Sequence, residues 1–96
     1  MPRFVIERKI PGAADLTSEQ LRDIALKSNA AIAALGERYE WIASYVAGDR
    51  FYCIHDADSA EVVRAHARAG NFPADRVTEV AAVIGPATAG GIPLAS

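Results

Sequence analysis

The stretch that decides the fold runs from Glu40 to Asp56 and reads EWIASYVAGDRFYCIHD. Two apolar runs flank Gly48-Asp49, and a glycine followed by an aspartate is typical of a two-residue type II′ hairpin turn. The turn fixes the register, because residues that pair across a hairpin share one face of the sheet. The predicted pairs are Ala47 with Arg50, Val46 with Phe51, Tyr45 with Tyr52, Ser44 with Cys53, and Ile42 with His55.

Neither face of this hairpin is a plain solvent face. One face carries Trp41, Ala43, Tyr45, Tyr52 and Ile54. The other carries Ile42, Ser44, Val46, Phe51, Cys53 and His55. Since aromatic or aliphatic side chains occupy both faces, the pattern predicts a hairpin that is covered on both sides.

The segment before the hairpin predicts one strand and one helix. Residues 3–8 (RFVIER) alternate as a strand does, with one apolar face and one mixed face. The apolar face holds Phe4 and Ile6, and the other holds Arg3, Val5 and Glu7. Pro11-Gly12 ends this strand. A helix then begins at Thr17, with Gln20 at the capping-box spacing, and ends at Gly36. Its apolar stripe consists of Leu21, Ile24, Ala25, Ser28, Ile32 and Leu35.

The segment after the hairpin predicts a second helix and a last strand. The helix covers residues 58–69, with Asp58 or Ser59 as its N-cap and Gly70 as its end. Its stripe places His66 toward the sheet that carries Cys53 and His55. Residues 71–73 form a turn with a buried aromatic anchor, and residues 76–84 alternate as a strand.

The resulting order of elements is strand, helix, strand, strand, helix, strand. This order predicts an α+β, ferredoxin-like βαββαβ domain over residues 1–88, with an antiparallel sheet and two helices on one face. Residues 89–96 are small and flexible in composition, and predict a C-terminal tail. The helix-free face is too apolar for water, so we expect a homodimer in which two sheets enclose a cavity, an α/β-barrel-like assembly.

Composition excludes several classes of function. The net charge of −2 over 96 residues gives no basic field for nucleic acid or anionic lipid. No apolar run approaches the roughly 20 residues that span a bilayer. The charged start argues against an export signal, and a single cysteine fits a reducing compartment. We therefore expect a cytoplasmic protein.

The choice of sheet face decides where a ligand would bind. We assign Ile42, Val46, Phe51 and Cys53 to the helix side, since they make a dry core. The open side would then combine aromatic and charged side chains, as small-molecule pockets do. This predicted ligand cavity consists of Trp41, Tyr45, Tyr52, Arg3, Glu7 and Glu79. The alternative is that the same residues line a polar dimer contact.

Several blocks of the chain are similar to one family of small bacterial proteins. They are MPRFVIERKIPGA at the start, Lys27-Ser28 in the first helix, the hairpin WIASYV…DRFYC, and HARAGNFPADRVTEV. The family was long described only as a domain of unknown function, and its characterised type is a dimeric, ferredoxin-like nickel-binding protein. The resemblance covers residues 1–88. It implies the same fold and nickel binding for sequestration or homeostasis, with no organic cofactor.

The chain departs from the family pattern at two positions. His55 stands where the family usually has a tyrosine, so it either adds a metal ligand or fills the space of the tyrosine. Asn71 stands where glycine is more frequent, which constrains the turn before Phe72.

Candidate nickel ligands follow from this resemblance. Nickel favours imidazole and accepts thiolate and carboxylate ligands, and the chain offers His55, His66, Cys53 and Asp56. The sequence has no HExxH, HxxxH or CxxC motif, so a site would be open to water or shared across a dimer. The structural alternatives are a hydrogen-bonded, partly buried His66 and a Cys53 that acts as a small buried hydrophobic residue.

Catalysis is the rival class of function. Related dimeric sheet cavities host cofactor-free enzymes, which is an analogy of fold. In this alternative His66 or Glu7 is the general base, and Tyr45 or Tyr52 orients a hydroxyl or carbonyl group. No P-loop spacing is present.

Overall fold

A computed structural model describes residues 1–91. Its four antiparallel strands form one sheet in the order β2-β3-β1-β4. The strands are β1 (Arg3–Lys9), β2 (Tyr39–Ala47), β3 (Arg50–Ala57) and β4 (Arg76–Glu79), and the helices are α1 (Ser18–Leu35) and α2 (Ala60–Gly70). Two 3-10 helices, Ala13–Asp15 and Pro86–Gly90, accompany them. This arrangement confirms the predicted α+β, ferredoxin-like βαββαβ fold.

The turn at Gly48-Asp49 has the predicted two-residue length. Of its two residues only Gly48 has a positive φ, at 59°, which is the type II′ pattern. The backbone of the turn is also tied to the segment after β1. Ile10 N donates to Asp49 O at 2.8 Å, and Ala14 N donates to Gly48 O at 3.0 Å. The turn therefore fixes the hairpin register and the path of the chain after β1.

A β-bulge at Ile42 makes one part of the predicted register wrong. The pairs from Ala47 to Ser44 are as predicted, but Trp41, and not Ile42, is the partner of His55. One extra residue in a strand shifts its alternation by one position. Trp41 consequently lies on the helix side, while Ile42 is 42% exposed on the open side. Both residues are on the face opposite to the one we predicted.

The core lies between the helices and one face of the sheet. Its buried members include Phe4 and Ile6 from β1, Phe51 and Cys53 from β3, and Val63 from α2. This confirms the helix-side assignment of Phe51 and Cys53. Val46 is on the same face as its partner Phe51, but it lies near the end of β2 and is exposed.

Capping residues set the bounds of α1. Thr17 and Gln20 form the predicted reciprocal capping box, with hydrogen bonds of 3.1 and 2.9 Å. Gly36 follows the last turn with φ 64°, in the left-handed region that favours glycine.

Of the two residues predicted as possible N-caps of α2, Ser59 takes that role, whereas the C-terminal end of the helix differs from the prediction. Ser59 is the N-cap, and Asp58 instead forms an exposed ion pair with Arg38. At the other end Gly70 is still helical, and Asn71 takes the left-handed cap conformation with φ 55°. Asparagine tolerates this conformation better than most residues, which explains how α2 extends one residue further.

The last strand is shorter than predicted. β4 ends at Glu79, because its partner β1 begins at Arg3 and the ladder runs out there. Val80 N still donates to Arg3 O at 2.7 Å, and residues 80–84 continue beside the open face. Of the predicted tail, Ala89 and Gly90 belong to a 3-10 helix, and residues 92–96 lie outside the described residues.

We predict that the Gly70→Ala variant is destabilised. A Cβ at this position would overlap the Phe72 ring, which is stacked on His66 and lies under Arg8, so the ring cannot move alone. Overpacking of this kind costs about 1–3 kcal/mol, more than the roughly 1 kcal/mol that alanine gains in a helix. Urea unfolding measures the difference. The double variant Gly70→Ala, Phe72→Leu is the control, and an equal loss in both backgrounds would contradict the explanation.

Candidate functional site

A cavity of about 60 Å³ lies between the sheet and the two helices. Every strand but β4 contributes to its wall, together with both helices and the turn after α2. Its lining residues are Arg8, Ile10, Ile24, Ser28, Trp41, Ser44, Phe51, Cys53, His55, His66 and Phe72. The cavity is thus on the face of the sheet opposite to the predicted ligand site.

Two histidines form the polar centre of this cavity. His55 on β3 and His66 on α2 are each 1% exposed, and their ring centroids are 5.1 Å apart. The hydroxyl of Tyr39 hydrogen-bonds Nδ1 of His55, and the tyrosine ring stacks on His66 at a centroid distance of 5.0 Å. This confirms the prediction that His66 points toward the strand that carries Cys53 and His55.

His66 makes only one of its two possible side-chain hydrogen bonds. Its Nε2 lies 3.1 Å from the hydroxyl oxygen of Ser28 on α1. Its Nδ1 is buried, and no hydrogen-bond partner for it exists among residues 1–91. A buried polar atom of this kind usually has a partner in a folded protein, so it points to a ligand or a water molecule.

Arg8 places a positive charge in the wall of the cavity. It is 3% exposed, its Nε donates to Sγ of Cys53 at 3.5 Å, and its Nη1 donates to the carbonyl oxygen of Pro73. Its guanidinium lies 5.5 Å from the centroid of the Phe72 ring. Within the described part of the chain, the only ion pairs between side chains are Arg3–Asp56 and Arg38–Asp58, so no carboxylate balances Arg8.

This environment keeps both imidazoles neutral. Burial lowers the pKa of His55 to about 3, and the nearby His66 and Arg8 act in the same direction, against a weaker effect of Asp56. Burial and Arg8 also lower the pKa of His66, while a contact with the backbone of Ser28 opposes the shift. Burial raises the pKa of Tyr39, which stays protonated.

The four predicted nickel ligands do not come together. His55, His66 and Cys53 all line the cavity, but Asp56 points to the other face of the sheet, where it binds Arg3 at 2.7 and 3.0 Å. His55 and Asp56 are adjacent in the sequence but therefore lie on different faces of the sheet. Among residues 1–91 no group of three or more His, Cys, Asp and Glu residues is arranged to hold a metal ion. Imidazole nitrogen and cysteine sulfur are suitable nickel ligands, but one chain places too few of them together to fill the coordination shell of the ion.

The six residues predicted to form a ligand cavity are also divided. Tyr45 and Tyr52 pair with each other on the open face, and Tyr45 is 64% exposed. Arg3 and Glu7 share that face. Trp41 lies in the helix-side cavity instead, where its Nε1 donates to Oγ of Ser44 at 2.9 Å. Glu79 pairs with the core-side residue Phe4, but it is exposed at the end of the edge strand β4 and also lines the cleft beside Glu7 on the open side.

The residues of the predicted catalytic alternative lie on opposite faces of the sheet. His66 is buried on the helix side, while Glu7, Tyr45 and Tyr52 occupy the open side. The sheet separates the two groups, so His66 cannot act on a substrate that the tyrosines orient.

The sequence did not single out as functional two polar residues that line the cavity, Arg8 and Ser28, or Tyr39, which contacts its two histidines. Arg8 follows Phe4 and Ile6 in the alternation of β1, so the period of the strand already places it on the core face. Ser28 stands in the predicted stripe of α1. Tyr39 precedes the hairpin stretch and gives no such signal.

The fold and the cavity define a class of protein: a small ferredoxin-like domain with an enclosed histidine pair beneath its sheet. A family model described as "Nickel responsive protein SCO4226-like" matches residues 4–80. Since this is most of the chain, the protein belongs to the SCO4226-like family of nickel-responsive proteins.

A solved structure supports the fold. The chain is similar to the crystal structure of SCO4226 from Streptomyces coelicolor A3(2), with a TM-score of 0.70 and 24% sequence identity. The match covers 85% of this chain and 99% of that one. A comparison with curated proteins finds no significant match. None of the helices in residues 1–91 has the length and hydropathy needed to cross a bilayer.

We predict that stability falls as the pH drops below about 6.5. Unfolded histidines take up a proton near that value, whereas folded His55 stays neutral until about pH 3, so protonation favours the unfolded chain. The charged and titratable side chains that face the His55 ring are Arg8, Tyr39 and His66. Between these two pH values His55 contributes a slope of about 1.4 kcal/mol per pH unit, and the lowered pKa of His66 acts in the same direction.

Urea unfolding between pH 7 and pH 4.5 tests this pH dependence. In the His55→Gln variant, the change in the free energy of unfolding per pH unit should be smaller by the contribution of one histidine. The Asp58→Asn variant changes an exposed group and should retain the contribution of His55. A variant His55→Gln with the full slope of the parent would contradict the assignment.

Proposed function

We propose that this protein binds divalent nickel as a cargo ion, at an open site formed by His55 and His66. The family to which the chain belongs is described as nickel-responsive, which supports this choice of metal. The observation that carries the proposal is the buried, unpaired Nδ1 of His66 beside a second neutral imidazole. Neutral imidazole nitrogens are good nickel ligands.

The hydrogen bonds of the cavity favour particular ligand atoms. Nδ1 of His55 is engaged by Tyr39 and Nε2 of His66 by Ser28, which leaves Nε2 of His55 and Nδ1 of His66. In many proteins the ring nitrogen that does not bind the metal makes a hydrogen bond, and this bond orients the imidazole. Sγ of Cys53 lines the same cavity and is the nearest candidate for a third ligand.

Water would complete the shell, since one chain supplies too few ligands and the proposed contact with a second copy lies on the other face of the sheet. The uncompensated charge of Arg8 opposes a divalent cation in the cavity. We therefore expect an affinity suited to exchangeable cargo rather than to a permanently bound structural ion.

Calorimetric titration with nickel chloride at pH 7.5 tests this proposal. The double variant His55→Ala, His66→Ala should lose at least tenfold in affinity. Asp56→Asn is the matched control, because Asp56 lies on the other face of the sheet, and its affinity should equal that of the parent. Equal binding by the double variant would contradict the site, and absence of binding by the parent would contradict the function.

A measurement on the unaltered protein avoids the risk that the double variant does not fold. Paramagnetic nickel should broaden the indole N–H signal of Trp41, which lines the cavity, before the amide signals of Tyr45 on the open face. The reverse order would place the ion elsewhere.

We further propose that the open face of the sheet packs against a second copy of the chain. The large apolar residues exposed on this side include Ile42, Tyr45, Val83 and Ile84, the last at 77% exposure. Contiguous apolar surface of this kind marks an interface. The partly exposed Arg3–Asp56 pair supplies a polar component on the same face.

Light scattering coupled to size exclusion tests the dimer. Tyr45→Glu should give a monomer, because it buries a carboxylate in the proposed contact. Leu26→Glu is the matched control, since Leu26 is 54% exposed on α1, away from the open face, and this variant should remain dimeric. A parent protein that is monomeric at all concentrations would contradict the proposal.

A further inference from the structure

We propose that the cavity beneath the sheet binds a small organic monoanion, a carboxylate of about the size of acetate, through Arg8 and His66. The inference goes beyond nickel binding and does not depend on it. It rests on a buried cation without an anion, a buried polar atom without a partner, and an adjoining cavity of matching size.

The charge of Arg8 is the first argument. A guanidinium that is 3% exposed has lost most of its hydration, and buried charges are normally paired with an opposite charge. The guanidinium contacts the thiol of Cys53, the carbonyl oxygen of Pro73 and the ring of Phe72. These groups are neutral, so they offset its lost hydration only in part. Among residues 1–91 no carboxylate lies within ion-pair distance of it. A bound anion would supply the missing charge.

Hydrogen-bond donors are the second argument. Nε and Nη1 of Arg8 are engaged, but Nη2 donates no hydrogen bond to any of the described residues. If the Ser28 hydroxyl donates to Nε2 of His66, the neutral ring carries its proton on Nδ1 and becomes a second free donor. A carboxylate has two oxygens, so it can accept from a guanidinium and from an imidazole N–H at once.

The walls of the cavity are the third argument. Away from the polar groups the lining is apolar and comes from Ile10, Ile24, Trp41, Phe51 and Phe72. The volume of about 60 Å³ is well below the roughly 150 Å³ of a cavity that holds benzene. The occupant is therefore a carboxylate with a short alkyl group and not an aromatic acid.

Titration of the metal-free protein, in the presence of EDTA, tests this site by NMR. Sodium acetate should produce saturable shifts of the Trp41 indole N–H and of the Cys53 amide. Acetamide has the same shape without the charge and should bind at least tenfold more weakly. Sodium phosphate, which is larger and more highly charged, should produce no saturable shift of these signals.

Two variants distinguish the site from general effects of salt. Arg8→Met, which keeps the length of the side chain, should weaken acetate binding at least tenfold. Arg64→Met removes an exposed arginine of α2 and should bind acetate as the parent does. If Arg8→Met does not fold, the difference in affinity between acetate and acetamide, measured on the unaltered protein, is sufficient to test the proposal.

Three results would overturn the proposal. The first is an affinity for acetamide equal to that for acetate. The second is an affinity of Arg8→Met for acetate equal to that of the parent. The third is a set of NMR shifts that do not saturate as acetate is added. Because EDTA removes nickel from the experiment, none of these results bears on the nickel proposal, and a failure of nickel binding leaves the anion site intact.

Discussion

The buried guanidinium of Arg8 is the constraint on which the helix-side half of the molecule depends. It donates to Cys53 on β3 and to the carbonyl oxygen of Pro73, and so connects the sheet to the turn after α2. Its position over the Phe72 ring requires that ring to lie against Gly70, where no Cβ would fit. Burial is the main cause that lowers the pKa of both cavity histidines, and the charge of Arg8 acts in the same direction. One cation thus contributes both to the packing of this turn and to the chemistry of the cavity.

Nickel and a carboxylate place opposite electrostatic demands on this cavity, and Arg8 links them. Without an anion, the guanidinium and a divalent ion at the histidine pair repel each other in a medium of low dielectric constant. An anion that pairs with Arg8 offsets its charge and brings oxygen atoms, which are acceptable nickel ligands, close to the two imidazoles. Both the shortage of ligands from one chain and the unbalanced cation would then be relieved by the same small molecule. In that joint state Nδ1 of His66 binds nickel without its proton, and the anion is held by Arg8 alone. The two proposals share His66 but remain separable, since the nickel test alters His55 and His66 whereas the anion test alters Arg8 in metal-free protein.

Local signals in the sequence predicted most of the fold and less of the site. The Gly48-Asp49 turn, the capping box at Thr17 and the order of the elements are local properties, and all three are confirmed. The bulge at Ile42 could not be predicted, because apolar residues follow one another on both faces of β2 and a shift by one position leaves the pattern equally plausible. The length of β4 depends on where β1 begins, which is a tertiary property. Arg8 was predictable from the period of β1.

The alternation of β3 explains why the predicted ligands separated and why the two faces can serve different functions. Cys53 and His55 point toward the helices, whereas Ile54 and Asp56 point toward the open face, so adjacent residues belong to different surfaces. A histidine and an aspartate next to each other in a strand cannot bind one ion unless the strand is irregular. In this protein the bulge lies in β2, and β3 stays regular from Arg50 to Ala57. The chain therefore keeps its histidines in a cavity on the helix side and the exposed apolar residues Ile42, Tyr45, Val83 and Ile84 on the open side, where contact with a second copy would leave that cavity unobstructed.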